Sequence, residues 1–210
     1  MNTAFGLPLL FIYACSFAEV VPPPTQPFDA KTWASTMEHK PTEGVTLGKK
    51  QVRFEKSSLS DVRSLVGVGA IQHAGDAGES NYWLCYTVTG KQPTQLWITS
   101  HGEMGGPEHV VTGVIAVALR SGGATTSCPR LPTRMHPASL RTNLWVGATE
   151  GDVRAILGTP SYRQGAWLSY DYDKKAPGNC SGGFDVSNSL LLKIEQGRVE
   201  RLFANQVTSC

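Results

Sequence analysis

The sequence predicts an α+β protein made of two tandem repeats, each a short helical segment packed on an antiparallel β-meander. Three observations lead there. First, residues 58–67 align without gaps on residues 149–158, sharing Asp61/Asp152, Val62/Val153, Arg63/Arg154 and Gly67/Gly158. Second, Tyr82-Trp83-Leu84-Cys85-Tyr86 matches Ala166-Trp167-Leu168-Ser169-Tyr170. Third, both stretches close on the same tripeptide, Thr126-Ser127-Cys128 and Thr208-Ser209-Cys210. A spacing of roughly 90 residues is too long for a solenoid unit and suits a small domain. The expected organisation is residues 1–18 as signal peptide, 19–28 as a Pro-rich lead, 29–128 as repeat 1, 129–137 as linker and 138–210 as repeat 2.

The helices carry the clearest local signal. Ser58 and Thr149 are N-cap residues, and Asp61 and Asp152 stand three positions on, a carboxylate form of the capping box. Those acids also suit the positive end of the helix dipole. Val62, Leu65 and Val66 recur at i, i+3 and i+4, as do Val153, Ile156 and Leu157. Each set makes one apolar stripe on a short helix. Gly67 and Gly158 fit the left-handed residue after the last turn, and Pro160 blocks continuation.

Strands follow each helix. Residues 82–89, 95–100 and 110–119 in the first repeat are rich in aromatic and β-branched residues, as are 166–172, 189–195 and 199–205 in the second. Glu195-Gln196-Gly197-Arg198 reads as a tight hairpin, and residues 101–108 as its longer equivalent. By strand parity Leu84, Tyr86, Leu168 and Tyr170 face the helices. Trp83 and Trp167 then fall on the opposite face, as candidate binding residues, since tryptophan often dominates interface energy.

Residues 5–17 are almost wholly apolar and too short to span a bilayer, and Ser16 and Ala18 suit cleavage before Glu19. No Lys or Arg precedes the apolar run, a departure from the usual signal-peptide pattern. Ile12-Tyr13-Ala14-Cys15 is a partial lipoprotein box, which makes Cys15 the lipidation candidate. Both routes place the protein outside the cytoplasm, periplasmic or secreted in one case and an outer-membrane lipoprotein in the other. The Pro-rich lead is expected to be extended and mobile. Removing Cys15 leaves Cys85, Cys128, Cys180 and Cys210, an even set that reads as two disulfides in an exported chain. Three pairings are open, and Cys85–Cys128 with Cys180–Cys210, one per repeat, is favoured by the matching Thr-Ser-Cys ends.

The second repeat also carries a family pattern. Gly147, Thr149, Val153, Leu157, Gly158 and Pro160, followed by Trp167 and Tyr170, resemble the SmpA/OmlA (BamE-like) small outer-membrane lipoproteins. There a Gly-x-Thr-x-x-x-Val-x-x-x-Leu-Gly-x-Pro segment precedes a Trp-x-x-Tyr strand. The tandem arrangement is similar to the β-lactamase-inhibitory-protein-like family. The match is loose in the first repeat, where Lys56 and Gly69 replace the Gly and the Pro. The resemblance implies a fold and, as a prior, protein binding. No inhibitory loop is matched, so inhibition of β-lactamases is not carried over.

Composition excludes other classes. Net charge is +2 with the cations scattered, so nucleic acid is not an expected partner. The expected role is non-enzymatic protein binding or scaffolding in the cell envelope, with another protein as partner, no cofactor and no metal. A membrane partner enters only through Cys15. The alternatives are a purely structural outer-membrane lipoprotein tethered through Cys15 and a hydrolase or metal-dependent enzyme. The enzyme would use His101, Glu103, Glu108 and His109, or the Gly-rich loop from Asn179 through Cys180 and Ser181 to Gly183. Intact mass of the exported protein is expected to begin at Glu19. A diacylglyceryl Cys15 would instead establish the lipoprotein, and an unprocessed Met1 in the cytosol would defeat both.

Overall fold

Alternation of apolar and polar residues builds most of the molecule as strand. The computed structural model describes residues 20–27, 37–76, 80–101, 109–120, 127–140, 143–179 and 182–210. The signal segment, Cys15, Glu103, Glu108, Cys180 and Ser181 lie outside them. In chain order the elements are β1 (Gly44–Leu47), β2 (Lys50–Arg53), α1 (Leu59–Val66), β3 (Gln72–Ala74), β4 (Asn81–Val88), β5 (Thr94–His101) and β6 (Gly113–Ala118). There follow β7 (Ala138–Leu140), α2 (Glu150–Leu157), β8 (Tyr162–Gln164), β9 (Trp167–Ala176), β10 (Phe184–Glu195) and β11 (Arg198–Ser209).

The expected fold class is corrected. The chain is predominantly β, with one eight-stranded antiparallel sheet ordered β3-β4-β5-β6-β11-β10-β9-β8 and a three-stranded sheet ordered β2-β1-β7. It is not two helix-on-meander repeats. The reason is the pairing of β6 with β11, running from Gly113↔Asn205 to Val117↔Arg201. Two separate meanders would each leave a row of unpaired backbone groups at that edge. Joining them satisfies both rows and makes one sheet. The internal likeness survives only as element order, with α1-β3-β4-β5-β6 echoed by α2-β8-β9-β10-β11.

A single hydrophobic cluster spans both halves. It joins Val62 and Val66 of α1, Val153 of α2, and Leu84, Ile98, Val114, Leu202, Leu190 and Leu168 across the sheet. Two helices of eight residues are too short to cover eight strands. The small sheet completes the layer with Val45, Leu47, Val52 and Leu140, all buried in the same cluster. This sheet was not anticipated, because its strands are only three or four residues long.

Both capping boxes form. Ser58 Oγ accepts from Asp61 N at 3.0 Å while Ser58 N donates to the Asp61 carboxylate at 2.9 Å. Thr149 and Asp152 do the same at 3.1 and 3.0 Å. These hydrogen bonds hold both carboxyls below their ordinary pKa. Gly67 closes α1 in the left-handed conformation, φ 81°. Gly158 has positive φ but an extended ψ of −147°, not the expected left-handed cap. Ile156, expected on the buried stripe, is 40% exposed. It lines a cleft with Met37 and Pro41, so α2 buries a narrower face than α1.

Residues 129–137 do more than link. Thr87 N donates to Pro129 O and Leu131 N to Thr87 O, both at 2.9 Å, laying this stretch along β4. Arg134 then donates to the Val66 carbonyl at 2.6 Å, satisfying the C-terminal end of α1.

One tyrosine in each half ties sheet to helix. Tyr86 and Tyr170 are fully buried, and their hydroxyls donate to Val68 O at 3.1 Å and Gly158 O at 3.3 Å. Desolvation raises both phenol pKa values. Tyr86→Phe is expected to lower stability by about 1 kcal/mol by leaving the Val68 carbonyl without its donor. Urea unfolding measures this, and an unchanged midpoint would remove the bond from the stabilising set.

Candidate functional site

The large sheet has two faces, and strand register assigns every side chain to one of them. Leu84, Tyr86, Leu168 and Tyr170 lie against the helices and small sheet. The opposite face carries the row Trp83–Thr99–Gly113–Asn205–Ser189–Asp171. Beside it runs Cys85–Trp97–Ile115–Phe203–Leu191–Ser169. Trp167 stands in the third row, opposite Lys193.

The first half of this face holds a second small core. Trp83, Cys85, Trp97 and Cys128 are buried together, with Val21, Ile115 and Val117 packed around them. Cys85 and Cys128 are disulfide-bonded, Cα atoms 4.7 Å apart, closing 43 residues of chain. By loop entropy such a bridge contributes about 4 kcal/mol. Cys210 is also disulfide-bonded. Cys180, its expected partner, lies outside the described residues. Gln95 Nε2 donates to Cys128 Sγ at 3.2 Å.

Trp83 is on the expected face but does not offer a surface. It is 0% exposed, and its Nε1 donates to Val21 O at 3.0 Å. Trp97 Nε1 donates to the same carbonyl at 3.2 Å. Val21 N donates to Gln72 Oε1 at 3.2 Å. The Pro-rich lead, expected to be extended and mobile, is held against the sheet through both polar backbone groups of Val21. Buried indole N–H groups need an acceptor, and the lead supplies one. Trp167 is only half-buried, its ring 6.0 Å from that of Phe203.

Between the lead and the sheet runs a cleft of about 320 Å³. Pro23, Pro24, Thr25 and Gln26 form one wall, and Asn81, Thr99, His101, Gly113, Ile115, Phe203 and Asn205 line the rest. Gly113 is required there, since a Cβ would meet Thr99 Oγ1 at 2.6 Å. The floor thus mixes hydroxyl and amide groups with apolar surface, the character of a site that binds by shape and hydrogen bonds.

The residues of the enzymatic alternative are dispersed or undescribed. His101 ends β5 and lines the cleft, while the His109 ring sits 5.7 Å from that of Tyr82. Among the described residues no group of three or more His, Cys, Asp and Glu side chains is placed to hold a metal. Asn179 and Gly183 lie in the chain between β9 and β10.

Three residues of this face carried no sequence signal that was read as functional: Gln72, Trp97 and Asp171. Trp97 was findable, since it has the same parity as Trp83 and pairs directly across from Cys85. Asp171 is buried, accepts from Ser169 Oγ at 2.7 Å, and has its pKa raised by desolvation. At the far end Arg120 bridges Glu195 and Glu200 at 2.5 and 2.7 Å. That exposed group contributes little to stability.

Comparison of the chain with protein-family models, with curated proteins and with solved structures gives no match.

Two outcomes test this geometry. Trp83→Ala is expected to cost about 3–5 kcal/mol, as a buried aromatic truncation does, and Trp167→Ala well under half of that. Thermal melts decide it, and equal losses would contradict the division. Asp171 has a raised folded pKa, so its penalty is present at neutral pH and disappears below the unfolded value of about 3.9. Asp171→Asn should therefore raise the urea midpoint at pH 7 and leave it unchanged at about pH 3.5. A midpoint lowered at pH 7 would show that the carboxylate is stabilised where it sits.

Proposed function

We propose that this is an exported, non-enzymatic protein-binding protein of the cell envelope, whose binding surface is the sheet face opposite the helices. The observation that carries this reading is the cleft of about 320 Å³ on that face, with Thr99, Gly113 and Asn205 on its floor and Phe203 at its side. Helices and the small sheet fill the other face, so a partner of any size has this side to approach. The half-buried Trp167, its ring 6.0 Å from that of the buried Phe203, extends the surface into the second half. Tryptophan and phenylalanine with a polar surround have the composition of an interface centre.

The buried Cys85–Cys128 bridge supports an oxidising compartment, as does the apolar N-terminus. The likeness of the second-half motif to SmpA/OmlA proteins, and of the tandem layout to β-lactamase-inhibitory-protein-like proteins, points the same way. Both kinds act by binding proteins.

A photo-reactive residue separates this face from the rest. Trp167→benzoylphenylalanine in the exported protein is expected to give discrete protein adducts on illumination of cells. Lys50→benzoylphenylalanine, on the small sheet, is expected to give none. Adducts from position 50 alone, or from neither position in folded protein, would contradict the assignment.

A further inference from the structure

We propose that Gln72, Trp83 and Trp97 form a recognition site for an extended, proline-rich peptide. Residues 20–27 of the chain itself are its resting occupant, displaceable by such a segment of a partner protein. This rests on the reading of the sheet face as a binding surface and names the chemistry of what it takes.

The site reads a peptide backbone. Both polar groups of Val21 are matched: its carbonyl accepts from Trp83 Nε1 at 3.0 Å and Trp97 Nε1 at 3.2 Å, and its N–H donates to Gln72 Oε1 at 3.2 Å. The body of the protein sets these groups in place. Trp83 and Trp97 are neighbours on β4 and β5, packed against the Cys85–Cys128 bridge. Gln72 starts β3 opposite Trp83, and its Nε2 donates to Ser127 O at 2.8 Å. That bond leaves Oε1 as the acceptor turned to the peptide N–H.

A polyproline-type segment fits this arrangement. It forms no internal hydrogen bonds, so its carbonyls are available, and its stiffness lowers the ordering cost of docking. Pro22, Pro23 and Pro24 follow the anchor directly. Val21 adds one small apolar side chain to the Trp83–Trp97 cluster. The anchor therefore asks for an extended residue with a modest apolar side chain, followed by proline.

Exchange is the physical consequence of how little is buried. Three neutral hydrogen bonds, one valine and the partial burial of Pro23, Pro24 and Gln26 make a weak contact between separate molecules. Within one chain the same contact closes, because the tethered segment is present at millimolar effective concentration. The lead also leaves the cleft beside Pro23–Gln26 open, which gives a longer or bulkier peptide added contact with Thr99, His101 and Phe203. An incoming segment that uses that space outcompetes the resident one.

The test uses the exported protein and the peptide Val-Val-Pro-Pro-Pro-Thr-Gln-Pro. Val21→Asp places a carboxylate against two indoles and expels the lead. The peptide is expected to shift tryptophan emission of folded V21D saturably, and to bind the wild type at least tenfold more weakly. A peptide with Asp at its second position is expected not to bind V21D. Folded V21D that gives no saturable shift overturns the proposal, and so does a V21D that cannot fold, since the lead would then be structural. Hydrogen exchange in the wild type gives an independent check. The indole N–H protons of Trp83 and Trp97 should exchange at least tenfold faster than the central amides of β4 and β5, and equal rates would overturn displacement. If the peptide fails while position 167 still cross-links to protein, the binding surface stands and only this peptide chemistry falls.

Discussion

The antiparallel pairing of β6 with β11 is the constraint on which the rest of the molecule depends. It turns two stretches of similar sequence into one sheet, and one sheet has only two faces. Most buried apolar side chains of both halves then fall into one core or the other. The larger core forms under the helices, where Val62 and Val153 meet strands from both ends of the sheet. Neither half could bury that face with one eight-residue helix, so the β2-β1-β7 sheet enters the layer.

The consequence for the other face is asymmetry. In the first half the Cys85–Cys128 bridge and the N-terminal lead, whose Val21 carbonyl satisfies two indoles at once, cover Trp83 and Trp97 and leave the cleft beside Pro23–Gln26 open. In the second half the half-buried Trp167 and a polar row through Ser189 and Asp171 occupy the equivalent strands. Ser189 Oγ donates to Asn205 Oδ1 at 2.6 Å, carrying that row across to the cleft. A repeat at the level of sequence has thus become two different surfaces, one covered by the lead and one a row in which Ser189 and Asp171 are themselves buried and Trp167 is half-exposed. Glu55 adds a tie between them and the far layer. It accepts from Thr208 N and Thr208 Oγ1, each at 2.7 Å, and from Gln206, fixing the end of β11 to the loop before α1.

Local features were legible in the sequence because local physics sets them. Ser58 with Asp61 and Thr149 with Asp152 announced both helix starts. Alternation around Leu84/Tyr86 and Leu168/Tyr170 gave the strands and their faces, and the Thr-Ser-Cys end at Cys128 gave the bridge to Cys85. Long-range choices were not legible. Nothing in the period of residues 113–118 says that their free edge meets residues 201–205 rather than solvent. The strands at Gly44–Leu47 and Ala138–Leu140 are too short for alternation to be read. Parity placed Trp83 on the correct face, but whether that face was open depended on a proline-rich lead. Its composition reads as unattached until the two indoles that bind it are seen together.

Calorimetric unfolding of the oxidised protein tests the single-sheet account most directly. If β6–β11 pairing and the shared core bind the halves together, heat absorption forms one transition. Its calorimetric and van't Hoff enthalpies then agree. Two transitions, or a van't Hoff enthalpy near half the calorimetric value, would mean that the halves unfold as separate units and that the continuous sheet does not govern the fold.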